Sequence, residues 1–317
     1  MNESEMEQFH STIGLSCGGM VRLGKKAPFA VVERDCCRLL RTAYEEGIRF
    51  FDLAYPLEEV ASIKEGLSGI DRSELCLSTN FSFWEENQPK PIDRIQKEME
   101  EALVSLDLEY FDISYVRGIA PEQYDPVVKH VYPLMEKWKR EGLVKKVGIS
   151  ENFSRDHDHH MMGEALSDSL WDVLVVGYNI LNQSASSLLK EAKKKGLMCI
   201  SMSAIKQAFV NNEVFGIYMD HMIKEKKFHF TQSEFYEFKD ELFRGADGVS
   251  FPGLAYRFVR DEDLFDVILT GTGNNEHLMD NIESLKAPAL SNRVHSLLKE
   301  FFKGEILATG QEGFMDL

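Results

Sequence analysis

Asp52, Tyr55, Asn80, Arg117 and Ser150 are the residues of this chain whose types and placement could do chemistry. Asp52 closes the segment Arg49-Phe50-Phe51-Asp52, and a carboxylate set among aromatic residues is costly to bury ionised without a partner. Arg117, at the end of Phe111 to Val116, can supply one, because a planar guanidinium grips a carboxylate through two parallel hydrogen bonds. Two readings stay open for it: a structural pair with Asp52, or a side chain facing a cavity and holding a carboxylate or phosphate of a ligand. Tyr55 adds a phenol on the loop after Asp52. The run Arg155-Asp156-His157-Asp158-His159-His160 invites a metal reading. Yet adjacent histidines at a helix start point in different directions, and no histidine pair four residues apart is completed by a carboxylate. The run is read as a solvated helix start, and no metal is expected.

The elements that would position these groups alternate regularly. Short apolar runs at Thr12 to Ser16, Arg49 to Asp52, Glu74 to Ser78, Phe111 to Val116, Lys146 to Ile149, Val173 to Gly177, Met198 to Met202 and Asp266 to Leu269 have the length and composition of strands buried on both faces. Between them, Val31 to Glu46, Ile92 to Leu106, Pro126 to Glu141 and Ser184 to Lys195 carry apolar residues at helical spacing, several ending at a glycine such as Gly47, Gly142 or Gly196. Eight such units predict a single α/β domain over residues 1–317, a (β/α)8 TIM barrel with a long seventh connection and an extra carboxyl-terminal helix. A doubly wound open sheet competes, but no Gly-x-Gly-x-x-Gly follows the first strand. In a TIM barrel, chemistry gathers at the carboxyl ends of the strands. Asp52, Asn80, Arg117 and Ser150 are predicted to end strands two to five. The seventh connection, Ala204 to about Asp263, carries many aromatic residues and reads as a lid or as helices padding the exterior.

Composition narrows the function. A net charge of −16 and no basic stripe argue against a nucleic-acid partner, and Lys193 to Lys195 and Lys224 to Lys227 read as solvated faces. The five cysteines are odd in number, lack a Cys-x-x-Cys pair, and suit a reducing, cytoplasmic compartment. The vicinal Cys36 and Cys37 are thiols in or beside packing. No run is long and apolar enough for a membrane span.

Several stretches, in order, resemble the aldo/keto reductase family: Gly14-Leu15-Ser16-Cys17-Gly18-Gly19-Met20-Val21-Arg22-Leu23-Gly24, Gly47 to Asp52, Leu77 to Asn80, Tyr110 to Arg117, Val147 to Phe153, Val176 to Gln183, and Gly271-Thr272-Gly273-Asn274-Asn275-Glu276-His277-Leu278-Met279-Asp280-Asn281-Ile282. The resemblance implies a TIM barrel that moves hydride between a nicotinamide dinucleotide and a carbonyl. It also implies a catalytic set of Asp, Tyr, Lys and His, in which the Lys, paired with the Asp, eases ionisation of the proton-donating Tyr. Here those positions read Asp52, Leu57, Asn80 and Arg117. Leucine cannot donate a proton, and losing a positioned acid removes about 10²–10⁴ of rate. Tyr55 is the candidate that could swing in.

The same resemblance assigns NADP or NAD to Ser150, Asn152, Ser203, Lys206, Gly271, Thr272, Gly273, Asn274, His277, Asp280 and Asn281. Val175 and Met202 replace the usual carboxamide-binding Gln and ring-stacking Tyr. Gly271 and His277 stand where basic residues usually take the 2′-phosphate of NADP, so the choice between the two dinucleotides is open. Backbone amides around Gly271 to Asn274 could still cradle a phosphate. The leading expectation is an NAD(P)-linked oxidoreductase with an altered site, acting on a small carbonyl or alcohol, anionic in one reading. A non-redox lyase or isomerase such as a dehydratase, and a silent barrel binding a metabolite or protein, are the alternatives. Oligomeric state is not legible.

Overall fold

Short runs of Val, Ile, Leu and Phe, each followed by an amphipathic helix, leave parallel pairing as the way to bury both faces of every strand. In the computed structural model, which describes residues 13–17, 36–55, 59–85, 88–209, 211–246 and 249–312, this produces a closed barrel. The strands are β1 (Ile13–Ser16), β2 (Phe50–Ala54), β3 (Cys76–Phe81), β4 (Phe111–Ile119), β5 (Val144–Glu151), β6 (Val173–Gly177), β7 (Met198–Met202) and β8 (Val267–Thr270). Each pairs in parallel with its neighbours, and β1 closes on β8 with Gly14 opposite Leu269. The predicted TIM barrel is the fold.

Alternation along the strands sorts side chains into two shells. Phe50, Ile113, Tyr115, Val173, Val175, Ile200 and Val267 fill the barrel interior. Their sequence neighbours, among them Phe51, Leu53, Val116, Leu174 and Val176, face outward to the helices. Gly148 in β5 makes room inside: a Cβ there would stand 2.8 Å from the Val173 carbonyl oxygen and 3.2 Å from the Tyr115 Cβ.

The helices, among the described residues, are α1 (Cys36–Glu45), α2 (Val60–Leu67), α3 (Ile92–Leu106), α4 (Tyr124–His130), α5 (Tyr132–Arg140), α6 (His160–Asp168), α7 (Ser186–Lys194), α8 (Asn212–Lys224), α9 (Gln232–Gly245), α10 (Phe251–Asp261), α11 (Asn275–Lys286) and α12 (Asn292–Phe301). The single helix expected over Pro126 to Glu141 is two. Pro133 lies in the first turn of α5 and has no N–H to continue the ladder from α4. Thr12, residues 31–35 of the first expected helix, and residues 18–24 of the first matching stretch lie outside the described residues, as does Leu57.

Several strands run further than expected, and this decides the depth of the site. β2 continues two residues past Asp52, and β4 runs to Ile119 with a register shift between Val116 and Ile119, where Gly118 takes φ 71°. Bulges of this kind re-aim side chains near barrel rims, and Arg117 sits in this one.

The seventh connection is helical. Phe209, Phe215 and Phe251 stack together, with 3.7 Å between the Phe215 and Phe251 ring centroids, and Phe238 of α9 stacks on Phe301 of α12 at 3.9 Å. Of the two readings given to those aromatics, the exterior packing one describes α8 to α10. After α12 the chain turns back as a strap in which Ala308, Thr309 and Gly310 are buried. Two asparagines after β6 hold it: Asn179 Nδ2 donates to the Thr309 carbonyl at 2.9 Å, and Asn182 Nδ2 to that of Ile306 at 3.1 Å.

Candidate active site

Asp52 points into the barrel two residues below the end of β2 and is 3% exposed, so it is an interior group, not the rim residue expected. Its carboxylate collects neutral donors from three strands. Ser78 Oγ donates to Oδ1 at 2.8 Å, Asn80 Nδ2 bridges both oxygens at 3.1 and 3.2 Å, and Ser16 Oγ and Tyr115 OH donate to Oδ2 at 3.2 and 3.0 Å. Burial raises the Asp52 pKa, and these hydrogen bonds pull against it.

Of the two readings left open for Arg117, the bidentate pair with Asp52 is not formed. Its Nη1 donates to Asn80 Oδ1 at 2.9 Å, so the guanidinium reaches the carboxylate through an amide. The physical reason is reach and competition: Asn80 and Tyr115 lie between the two charges, and the shifted register of β4 carries Arg117 toward the mouth, where it is half-buried.

Tyr115 is the residue that sequence reasoning missed. Besides donating to Asp52, its hydroxyl accepts from Asn80 Nδ2 at 2.9 Å. Burial first, then the Asp52 charge, holds its proton well above the ordinary phenol range, with Arg117 opposing. Period-two alternation was the available signal: Tyr115 lies two residues before Arg117 and therefore on the same barrel face. Tyr115 and Asn80 together fill the space beside Asp52 where the family resemblance calls for a lysine.

Tyr55 is excluded from this group. Alternation from Asp52 turns it outward, and its hydroxyl donates to Glu101 of α3 at 2.9 Å. Burial, then Glu101, pushes its pKa up to about 12. The histidine run is also not a solvated helix start throughout. Asp156 and His159 are buried; Asp156 accepts from His160 N and Met161 N at 2.9 Å, and His159 Nδ1 pairs with buried Glu151 at 2.9 Å. Glu151 also accepts from Gly177 N at 2.7 Å, joining β5 to β6. Among the described residues no cluster of three or more His, Cys, Asp or Glu could hold a metal.

The expected dinucleotide positions lie along the mouth from β5 to β8. Ser150 faces the interior with its Oγ 3.6 Å from Met202 Sδ, and Asn152 follows it, half-buried, its N–H donating to the Ile119 carbonyl at 2.8 Å. Ser203 leaves β7 in a left-handed conformation, φ 67°, with its carbonyl taken by Asn179 Nδ2 at 3.1 Å. Lys206 is half-buried; burial lowers its pKa and Glu312 of the strap opposes this. Gly271 has room, since an added Cβ would come no nearer than 3.7 Å to the Ser16 carbonyl. Thr272 Oγ1 accepts from Asn274 N at 3.1 Å, and the Asn274 side chain caps α11. His277 and Asp280 are exposed on α11, whereas Asn281 Nδ2 is tied to Thr270 Oγ1 at 2.9 Å. Gly273 is half-buried in the turn. Next to the cap, Asn275 Oδ1 is buried without a hydrogen-bond partner among the described residues. An orphaned acceptor beyond β8 and a partly dry lysine beyond β7 fit a ligand with hydroxyls and phosphates, at the strand ends where TIM barrels often bind phosphate.

A closed barrel of eight parallel strands, each followed by helix, is a TIM barrel. The chain belongs to the aldo/keto reductase family, whose sequence profile matches residues 16–303. It is 26% identical over 190 residues to an L-galactose dehydrogenase of Arabidopsis thaliana, a match spanning 58% of this chain and 59% of that protein. Its fold is similar to that of an aldo-keto reductase from Bacillus halodurans in the holo form, with TM-score 0.67, 16% identity and 95% of each chain covered. It is also similar to a thermostable aldo-keto reductase in complex with the inhibitor epalrestat, with TM-score 0.64, 20% identity, and 92% and 94% of the two chains covered.

Proposed function

We propose that this chain is an NAD(P)-linked oxidoreductase with a rebuilt proton-handling site, acting on a small carbonyl or alcohol that carries an anionic group. The observation that carries the reading is the polar path along the mouth, from Ser150 through Ser203 and half-buried Lys206 to Asn275 Oδ1, which has no partner among the described residues. Ser150 and Asn152 would hold the carboxamide end, Lys206 the pyrophosphate, and Gly271 to Asn274 with His277, Asp280 and Asn281 the adenosine end. The dinucleotide, when bound, supplies or accepts the hydride.

The rest falls to the chain itself. Arg117, braced by Asn80, presents a guanidinium that orients a carboxylate or phosphate at the rim. Tyr115 donates to Asp52 across 3.0 Å in a buried setting, and this pair would handle a proton without the missing lysine. The L-galactose dehydrogenase similarity supports an alcohol or its carbonyl as substrate. The odd number of cysteines and their lack of a Cys-x-x-Cys pair support a cytoplasmic location.

The same Tyr115–Asp52 couple supports a second reading, a lyase or isomerase that moves protons without net hydride transfer. Titration of the protein with NADH and with NADPH, read by nicotinamide fluorescence, separates the two. Saturable binding of either supports the oxidoreductase; no binding at near-millimolar concentration removes it.

A further inference from the structure

Two thiols from separate elements meet beside Asp52. Cys17 follows β1, where Ser16 is in register with Asp52, and its N–H donates to the Asp52 carbonyl at 2.9 Å. Cys36 opens α1 and is buried in the core cluster against which half-buried Cys17 packs. The two side chains are hydrogen-bonded to each other, and Cys17 lies within reach of the Asp52 charge. Cys37 does not share this position, because successive helical residues point about 100° apart. Its Cα stands against Gly66 of α2, 3.2 Å from where a Cβ on that glycine would be. Cys76 opens β3 and Cys199 is the second residue of β7, so both lie at the amino end of the barrel, away from Cys17.

We propose that Cys17 and Cys36 form a redox-active dithiol site at the carboxyl end of the barrel, which closes to a disulfide by exchange with a small disulfide such as oxidised glutathione. The bond asks for sulfurs about 2.05 Å apart and Cα atoms within about 7 Å, a short closing motion for two thiols already in contact. The thiolate of half-buried Cys17 attacks one sulfur of oxidised glutathione, and a glutathione thiolate leaves. The Cys36 thiolate then attacks the Cys17 sulfur of the mixed disulfide and releases the second glutathione. Two electrons pass from the protein pair to the oxidant, and the two protons given up by the cysteines end on the glutathione thiols. The hydrogen bond with Cys36, then burial, then the charges of Cys36 and Asp52 push the Cys17 thiol pKa up. The attacking thiolate is therefore scarce at neutral pH, and closure is slow there. The bridge ties the ends of the first strand-to-helix connection beside Asp52. None of this depends on the dinucleotide reading.

The test incubates the reduced full chain with oxidised glutathione, blocks remaining thiols by alkylation, and maps disulfides by peptide mass spectrometry. One bridge is expected, joining the peptide of Cys17 to that of Cys36 and Cys37 and reversed by dithiothreitol, while Cys76 and Cys199 stay reduced. Cys37→Ser should keep the bridge, whereas Cys36→Ser should stop at a glutathione adduct on Cys17. Closure of the wild type should quicken about tenfold per pH unit from pH 7 to pH 8.5, following the thiolate fraction. No bridge in the wild type overturns the inference, as does a bridge that is lost in Cys37→Ser or survives in Cys36→Ser. So does a closing rate flat across that pH range, since attack by this pair would then not be the step.

Discussion

Replacing Glu312 by Gln tests whether the carboxyl-terminal strap is held over the seventh loop by charge. The Glu312 carboxylate accepts from Thr309 N at 2.9 Å, Gly310 N at 3.1 Å, Gln311 N at 3.2 Å and Tyr218 OH at 3.0 Å, and from the Thr309 hydroxyl. His157 Nε2 stands 3.7 Å away. Burial works against the ionised form, but His157, Thr309 and the backbone N–H groups outweigh it and hold the pKa at about 2, against 4.5 ordinarily. Holding the carboxylate at about 2 against 4.5 corresponds to roughly 3 kcal/mol at neutral pH, or about 2–3 kcal/mol once partial solvent access is allowed for. The sign follows from the depression. The contribution is complete above the unfolded value and is lost as pH falls toward the folded one, with roughly 1 kcal/mol gone by pH 3.5. Glu312→Gln removes the charge, so the variant should be about 2–3 kcal/mol less stable at pH 7, and the gap to wild type should narrow between pH 5 and pH 3.5. Urea denaturation of both proteins across that range measures it. A gap that stays constant with pH, or one below about 0.5 kcal/mol at pH 7, would refute the reasoning.

Arg117→Ala should weaken anionic aldehydes such as 4-carboxybenzaldehyde at least about tenfold relative to benzaldehyde, as expected for loss of a charge-assisted contact; inhibition constants measure the ratio, and an equal loss for both compounds would point to a purely structural arginine. Tyr115→Phe strips one donor from buried Asp52 at a cost of about 1–3 kcal/mol. Because the Asp52 pKa is raised in the fold, its contribution to stability falls as pH rises through the window above the ordinary carboxylate value. Tyr115→Phe should deepen that fall between pH 4 and pH 7, which chemical denaturation at several pH values would show. Restoring the family's set by Leu57→Tyr, Asn80→Lys and Arg117→His should not raise carbonyl reduction unless Tyr115→Leu is added, because the Tyr115 hydroxyl lies on Asn80 Nδ2 at 2.9 Å, where the lysine must pass. A steady-state assay with NADH would decide, and a gain from the triple variant alone would contradict the packing.

The barrel was legible because its signals are local. Apolar runs of strand length, glycines closing amphipathic helices and the motif order from Gly14 to Ile282 belong to short windows of chain. What misled was register and direction. Asp52 reads as a rim residue until β2 is seen to run on to Ala54, and Tyr55 reads as a reserve acid until alternation sends it outward to Glu101. The Asp156 to His160 run reads as solvated until Glu151, from another segment, takes His159.

By itself, the sequence determined the parallel α/β architecture, the family, and the replacement of three of four expected catalytic groups, since each depends on residue type and local periodicity. Only the tertiary structure decided that Asp52 is hydrogen-bonded by two serines, an amide and a phenol instead of paired with Arg117, and that Asn275 Oδ1 is buried without a partner among the described residues. The reason is physical: hydrogen-bond partners drawn from β1, β3 and β4 meet only when the barrel closes, and which donors remain unspent is a property of that closure.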